Sequence, residues 1–403
     1  MTRTDINNDI IYIMIRVEKI IPGGQALGTN GDGKKVFFWN ALPGEIVVDY
    51  KITKRKSHYE EAIATKIEAP SPFRMEPMDS CYLSTSPWQI VNYDYELKLK
   101  QELVKELFGE HKIDISLPPI FTDQNDYHYR NKMEYALYWD NDTNKIHLAF
   151  HERGSHHKTP INHSSIEHPA ILARAKEIIA DLNSRHEEAR KYQSLLLRAN
   201  QSGEVSGGLY ENHKPHQIFP TLSDSILGHV YTYSPNGFFQ INLPVYEMAL
   251  LEMKKHIATE NVLDLYAGVG TIGLSIARDH RLTLVECDKF AYTELSENCK
   301  KALLESDSGD IRAVLEKSEI VTDFIAANQT VILDPPRSGC DKKLIGKLND
   351  IKPAKIIYLS CNPATQARDI SLLLQSYQID KIDTFNFFPH TPHIENLVIL
   401  SLK

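Results

Sequence analysis

From Asn261 onward, short apolar segments alternate with helical stretches. The strand-like segments run from Val262 to Tyr266, Leu282 to Cys287, Ile311 to Leu315, Val331 to Leu333 and Ile356 to Leu359, with two further candidates near Ile382 to Phe388 and Leu397 to Leu402. Such alternation leaves few architectures open. It predicts an α/β fold, a doubly wound sheet of parallel strands whose ligands bind outside the carboxyl ends of the strands.

The first of these strands runs into Leu263-Asp264-Leu265-Tyr266-Ala267-Gly268-Val269-Gly270-Thr271-Ile272-Gly273, a Gly-x-Gly-x-x-Gly loop that opens a helix. Glycines there let the backbone turn tightly and come close to a ligand. Glu286 ends the next strand, where a carboxylate can accept hydrogen bonds from ribose hydroxyls. A dinucleotide would place its pyrophosphate at the helix N-terminus. S-adenosyl-L-methionine has no phosphate and carries a positive sulfonium, so a carboxylate just before the loop, Asp264, favours it. Asp334-Pro335-Pro336-Arg337 follows the fourth strand, and its adjacent prolines hold Asp334 in a fixed geometry.

Cys361 lies in Leu359-Ser360-Cys361-Asn362-Pro363, where the fifth strand meets a loop. A free cysteine is by default a small buried hydrophobe. As a nucleophile it would need an electropositive or hydrogen-bonding pocket to lower its pKa.

Upstream, Ile11 to Ala69 reads as short strands broken by Pro22-Gly23-Gly24 and Gly31-Asp32-Gly33, the pattern of a small barrel. Lys34-Lys35 and Lys51 to Lys56 give it a basic face, a composition also found on solvated strand edges. Pro70-Ser71-Pro72 reads as a linker. Beyond it, Tyr95 to Phe108 and Ala170 to Leu197 have helical character, and Tyr129 to Trp139 and Lys145 to His151 have strand character. Three regions are expected: a barrel over 1–70, a mixed α+β region over 71–225, and the Rossmann-like unit over 226–403.

The chain has 403 residues, a formal net charge of −8 and five cysteines without CxxC pairs. Unpaired thiols fit a reducing compartment, and no segment reaches the length of a membrane span, so a soluble cytoplasmic protein is expected. Nothing calls for a membrane or an obligate protein partner. The bulk charge does not attract polyanions, though local basic patches can. His151, His156, His157, His163 and His168 lack the spacing of a metal site, and no metal is expected.

Taken together, the glycine loop with Asp264 and Tyr266, Glu286, Asp334-Pro-Pro-Arg337, Ser360-Cys361-Asn362-Pro363 and the terminal Phe388-Pro389-His390-Thr391-x-His393-x-Glu395 resemble the RNA (uracil-5-)-methyltransferase family. Ser234-Pro235-x-x-Phe238-Phe239-Gln240-x-Asn242, a TRAM-like barrel and Tyr129-Arg130-Asn131-Lys132-Met133-Glu134 extend the resemblance over nearly the whole chain. It implies S-adenosyl-L-methionine as cofactor, contacted by Gln240, Tyr266, Glu286, Asp334 and Thr271. It implies Cys361 as nucleophile, Glu395 as base, and Arg130 and Lys132 facing structured RNA, with rRNA placed ahead of tRNA. The chemistry suits these residue types: thiolate addition at C6 makes C5 of uracil nucleophilic, and a shielded carboxylate then removes the C5 proton. Many relatives carry four cysteines for an iron-sulfur cluster. This chain keeps Cys81 but has Ser84, Thr85 and Ser86 nearby and Ser164 and Ser165 further on, so no cluster is expected. The competing readings are an NAD-dependent oxidoreductase, an amino-group methyltransferase that would need no cysteine, and an RNA-binding protein with a degenerate core.

Overall fold

The computed structural model describes residues 14–305, 310–316 and 321–403. The start of the strand expected from Ile11 lies outside the described residues. Strands β1 (Ile15–Ile20), β2 (Ala26–Thr29), β3 (Lys35–Trp39), β4 (Ile46–Arg55) and β5 (Tyr59–Ala69) close into a barrel in the order β1-β2-β3-β5-β4. Alternation drives the closure: Ile15, Val17 and Ile20 point inward while Arg16 and Glu18 face solvent.

A short turn of helix α1 (Tyr82–Thr85) leads to α2 (Tyr93–Glu110), which Asn92 caps by accepting from the Tyr95 N–H at 2.9 Å. A six-stranded sheet follows, in the order β11-β10-β9-β6-β7-β8. Its strands are β6 (Lys132–Asp140), β7 (Lys145–His151), β8 (Lys158–Pro160), β9 (Ser194–Ala199), β10 (Val205–Glu211) and β11 (Lys214–Pro215), with helix α3 (Pro169–Ser184) between β8 and β9. The helix expected to continue to Leu197 stops at Ser184, and Ser194–Ala199 is instead a strand buried at every residue. A short unbroken apolar run carries neither period, so only its place between β10 and β6 decides it.

The hairpin β12 (Leu222–Ile226) and β13 (His229–Tyr233) and helix α4 (Leu243–Lys254) introduce the C-terminal unit. There β14 (Asn261–Leu265), α5 (Thr271–Ile276), β15 (Arg281–Glu286), α6 (Lys289–Glu305), β16 (Ile311–Leu315), β17 (Thr330–Leu333), α7 (Lys342–Ile351), β18 (Lys355–Ser360), α8 (Pro363–Leu373), β19 (Tyr377–Phe385) and β20 (Glu395–Leu402) form one seven-stranded sheet and its helices. The order is β16-β15-β14-β17-β18-β20-β19. The first five strands are parallel, as expected, and β20 runs antiparallel between β18 and β19. The short return through residues 386–394 forces that direction. The strand order reverses between β14 and β17, which opens a crevice at their carboxyl ends.

Two hydrophobic cores cover the two faces of this sheet, and a third lies under the six-stranded sheet. Helix α2 packs into the same core as the barrel and α8, not with the six-stranded sheet. The hairpin β12–β13 packs with α4 and β14, so the division expected at 225/226 falls inside a strand of that core. No helix among the described residues is long and apolar enough to cross a membrane.

Candidate active site

The carboxyl ends of β14, β15, β17 and β18 converge with the first residue of β20. Ser360 pairs with Asn396 in the antiparallel β18–β20 ladder, so the next positions outward, Cys361 and Glu395, face each other across the two strands. Directly after Cys361, the Asn362 side chain accepts from the Ala364 N–H at 3.3 Å and Pro363 starts α8. Asn362 also donates to the Arg337 carbonyl at 2.8 Å, as Thr365 does at 3.2 Å. The loop carrying Asp334 and the loop carrying Cys361 are thereby tied together.

Glu395 is only 4% exposed, yet its carboxyl makes no hydrogen bond among the described residues. Burial, and then Asp334, push it well above the usual carboxylate range, while Arg337 pulls it down. Burial pushes half-buried Asp334 up to about 7. The Cys361 thiol is pushed up to about 11 by burial and by Glu395 and Asp334, against a smaller lowering by Arg337. The expectation of a pocket that lowers the thiol pKa is not met, because burial first, and then two neighbouring carboxyls, outweigh one guanidinium. At neutral pH this cysteine rests as a thiol.

On the cofactor side, Gly268 and Gly270 hold φ values of +56° and +89°. A Cβ on Gly270 would lie 2.7 Å from Leu295 Cδ1, while one on Gly268 would meet nothing within 4 Å, so the loop has open space there. Tyr266 also sits at a positive φ of 63°, a strained position for a tyrosine. Glu286 accepts from the N–H groups of Gly268, Cys287 and Asp288 at 2.7 to 2.8 Å, which fixes its carboxylate at the end of β15. Thr271 shares a 2.8 Å hydrogen bond with the Tyr246 hydroxyl. Asp264, expected to serve the sulfonium, does not reach the open face. It is fully buried and its Oδ2 accepts from the Gly273 N–H at 2.9 Å. The carboxylates that face this space are Glu286 and Asp334. Two carboxyl groups beside the loop, and no lysine or arginine within it, suit a nucleoside with a positive sulfonium better than a pyrophosphate.

Gln240 is buried beside the six-stranded sheet, where its carbonyl accepts from Asn131 Nδ2 at 3.1 Å. Lys132, expected to face RNA, instead donates from Nζ to the carbonyls of Asn236 and Gly237 at 3.1 and 3.0 Å. Burial, then Arg198, pushes it down to about 8. Arg198, fully buried, donates to the carbonyls of Gly237 and Phe239. Arg130 stays half-exposed, and among the described residues its guanidinium is engaged through Nε alone, with the Lys132 carbonyl at 3.1 Å. Arg198 was not among the expected site residues, and Asn131 and Arg337 stood in the expected motifs without a role of their own. An arginine inside the apolar run of Ser194–Ala199 was the available signal for the first.

His390, His393 and Glu395 diverge. His390 turns to Asp126 at 3.1 Å and its backbone N–H donates to Glu96 at 2.9 Å, while His393 packs against Phe388. Among the described residues no group of three or more His, Cys, Asp or Glu side chains could hold a metal ion. Near Cys81, a buried Asp79 accepts from Ser165 Oγ at 2.9 Å and Gln89 Nε2 at 2.9 Å.

Residues 309–403 match the family model described as tRNA (Uracil-5-)-methyltransferase. A Bacillus anthracis protein described as an uncharacterized RNA methyltransferase is 27% identical over 94% of this chain and 95% of its own length. Another so described, from Prochlorococcus marinus, is 28% identical over 89% and 99%. Among solved structures, Pyrococcus abyssi tRNA (uracil-54, C5)-methyltransferase, in complex with S-adenosyl-L-homocysteine, matches at a TM-score of 0.75 and 22% identity, covering 97% of this chain and 100% of that one. The Rossmann-like methyltransferase fold expected from the sequence is borne out, and so is the family resemblance.

Proposed function

We infer that the chain is an enzyme of the RNA (uracil-5-)-methyltransferase family and transfers a methyl group from S-adenosyl-L-methionine to C5 of a uridine in structured RNA. The observation that carries this reading is the meeting of Cys361 with Glu395, Asp334 and Arg337, whose side chains make no hydrogen bonds among the described residues, beside a glycine loop walled by Glu286. An NAD-dependent reading fits that wall poorly, and an amino-group methyltransferase needs no thiol.

The cofactor supplies the methyl group, and Gln240, Tyr266, Glu286, Asp334 and Thr271 are the residues that would hold it. Cys361 Sγ bonds to C6 of the target uracil once its proton is lost, and C5 then becomes the attacking carbon. Arg337, which lowers the thiol pKa here, favours that ionisation. Glu395 then takes the C5 proton, and the Sγ–C6 bond breaks to restore the double bond. Its raised pKa makes it a better base than a solvated carboxylate. The target base must leave its stack to reach this site.

The division into 1–70, 71–225 and 226–403 belongs to this proposal, with α2 and the hairpin β12–β13 assigned to the catalytic unit by their packing. The sequence reading placed rRNA first. The similar Pyrococcus abyssi protein is a tRNA methyltransferase, which favours tRNA as the second reading. The test uses both RNA fractions from cells lacking this gene, with and without 5-fluorouridine. Cys361→Ala should lose transfer and form no covalent adduct. Glu395→Gln should still form the adduct but release RNA at least ~100-fold more slowly, the lower range of general-base contributions. An adduct that survives in Cys361→Ala would sink the mechanism.

A further inference from the structure

A second cavity, of ≈ 420 Å³, opens where the barrel, the six-stranded sheet and the loop before Glu395 meet. The barrel contributes Gly23 and Trp39, the sheet region Arg130 and Arg153, and the C-terminal loop His393. None of these segments is near another in sequence, so the cavity exists only in the folded chain.

Its two arginines share an arrangement. Each spends only its Nε on a backbone carbonyl, Arg130 on Lys132 at 3.1 Å and Arg153 on Leu83. Their Nη groups make no hydrogen bond or ion pair among the described residues. In a chain of net charge −8, two guanidinium forks held by one edge with the other open are ready for an anion, and their geometry matches phosphate. Glu134 also lines the cavity, but Ser194 engages its carboxylate at 2.7 Å and it bonds to neither arginine.

Above this pair lies a stacking surface. The Arg153 guanidinium sits 4.0 Å from the centroid of the half-exposed Trp39 ring. A guanidinium plane over an indole is a preformed platform for a nucleobase, because bases stack on both kinds of surface. The two arginines also act on His393, which lines the same cavity. Burial, then Arg337, Lys100, Arg130 and Arg153, pushes His393 down to about 4.

Position separates this cavity from the reacting centre. His393 lines it, and Glu395, two residues on, faces Cys361. Two extended residues span roughly 7 Å. The target uracil belongs at Cys361, so an occupant of this cavity is a neighbouring nucleotide.

We propose that Trp39, Arg153 and Arg130 form a subsite for an RNA nucleotide adjacent to the methylated uridine, its phosphate held by the two arginines and its base stacked on the Trp39–Arg153 platform. The subsite rests on the reading above that the substrate is RNA. The test measures filter-binding Kd, across a salt series, and steady-state KM with total tRNA and rRNA from cells lacking this gene, for Trp39→Leu, Trp39→Phe and Arg153→Gln. Binding of S-adenosyl-L-homocysteine by calorimetry reports whether each variant is folded. Trp39→Leu should weaken RNA binding about tenfold, in the range of one lost stacked base, and Trp39→Phe should recover most of it. Arg153→Gln should reduce the slope of log K against log salt by about one. The KM for S-adenosyl-L-methionine should stay put in all three. Wild-type RNA affinity and salt slope in folded Trp39→Leu and Arg153→Gln would overturn the subsite. A wild-type protein that binds RNA without methylating it would sink the enzymatic reading alone, and the same Kd values would still judge the subsite.

Discussion

At the residue scale, the site is built from groups in uncomfortable ionisation states. Cys361, Glu395, Asp334 and Asp264 all have raised pKa values, and burial is the first cause of each. A carboxyl whose pKa is higher folded than unfolded stabilises the fold below its unfolded value and loses that contribution as pH rises through its folded value. For Asp264, fully buried and pushed up to about 8, the window runs from near pH 4 to near pH 8. Within it this one group should lower stability by about 1.4 kcal/mol per pH unit. Asp264→Asn keeps an oxygen for the Gly273 N–H and cannot ionise. Urea denaturation between pH 5 and 8 should therefore show a flatter pH dependence for Asp264→Asn than for the wild type. Identical slopes would show that Asp264 does not ionise over that range. The residue types at this site were legible from the sequence, since Cys361, Glu395 and Asp334 stand in recognisable motifs. Their protonation was not, because it depends first on how deeply the fold buries each group and then on which carboxyls come to lie beside the thiol.

At the element scale, two helices show how the site is held. The Asn362 cap and Pro363 fix the start of α8, and with it the direction of the Cys361 backbone. Helix α2 anchors the other side. Lys100 on α2 is fully buried and pairs with Glu96 at 2.8 Å, and its Nζ also donates to Asn386 Oδ1 at 2.6 Å and the Phe388 carbonyl at 3.1 Å. Those two acceptors belong to the loop that leads to Glu395. Removing one partner of a buried pair strands the other. Lys100→Met should cost about 3 to 5 kcal/mol in chemical denaturation, and Lys100→Met with Glu96→Gln should recover part of it. A loss under about 1 kcal/mol would mean that water reaches the pair. The helical period of α2 was readable from its apolar residues. Its lysine looked like any surface charge, because the loop that buries it lies 286 residues away. The strand Ser194–Ala199 was misread for a related reason: its partners β6 and β10, not its own pattern, make it a strand.

At the scale of the whole molecule, the six-stranded sheet grips the cofactor side of the catalytic unit through backbone carbonyls. Asn131, Lys132 and Arg198 together hold the carbonyls of residues 236, 237, 239 and 240. Arg198→Met keeps much of the apolar stem but leaves those carbonyls short of a donor, at about 1 to 3 kcal/mol for such a buried group. Because Gln240 ends this loop, Arg198→Met should raise the KM for S-adenosyl-L-methionine roughly tenfold, the factor that 1.4 kcal/mol gives, more than the KM for RNA. An unchanged KM for S-adenosyl-L-methionine would mean that the loop holds its shape without the clamp. By itself the sequence determined the α/β alternation, the glycine loop, the small barrel and the chemical types gathered at the strand ends, because these depend on local period and on short motifs. Only the tertiary structure decided that the Lys132 Nζ meets the carbonyls of Asn236 and Gly237, that Asp264 is fully buried, and that Trp39 meets Arg153 over a cavity. Those outcomes depend on which distant segments share a space, and charge and burial are properties of that shared space.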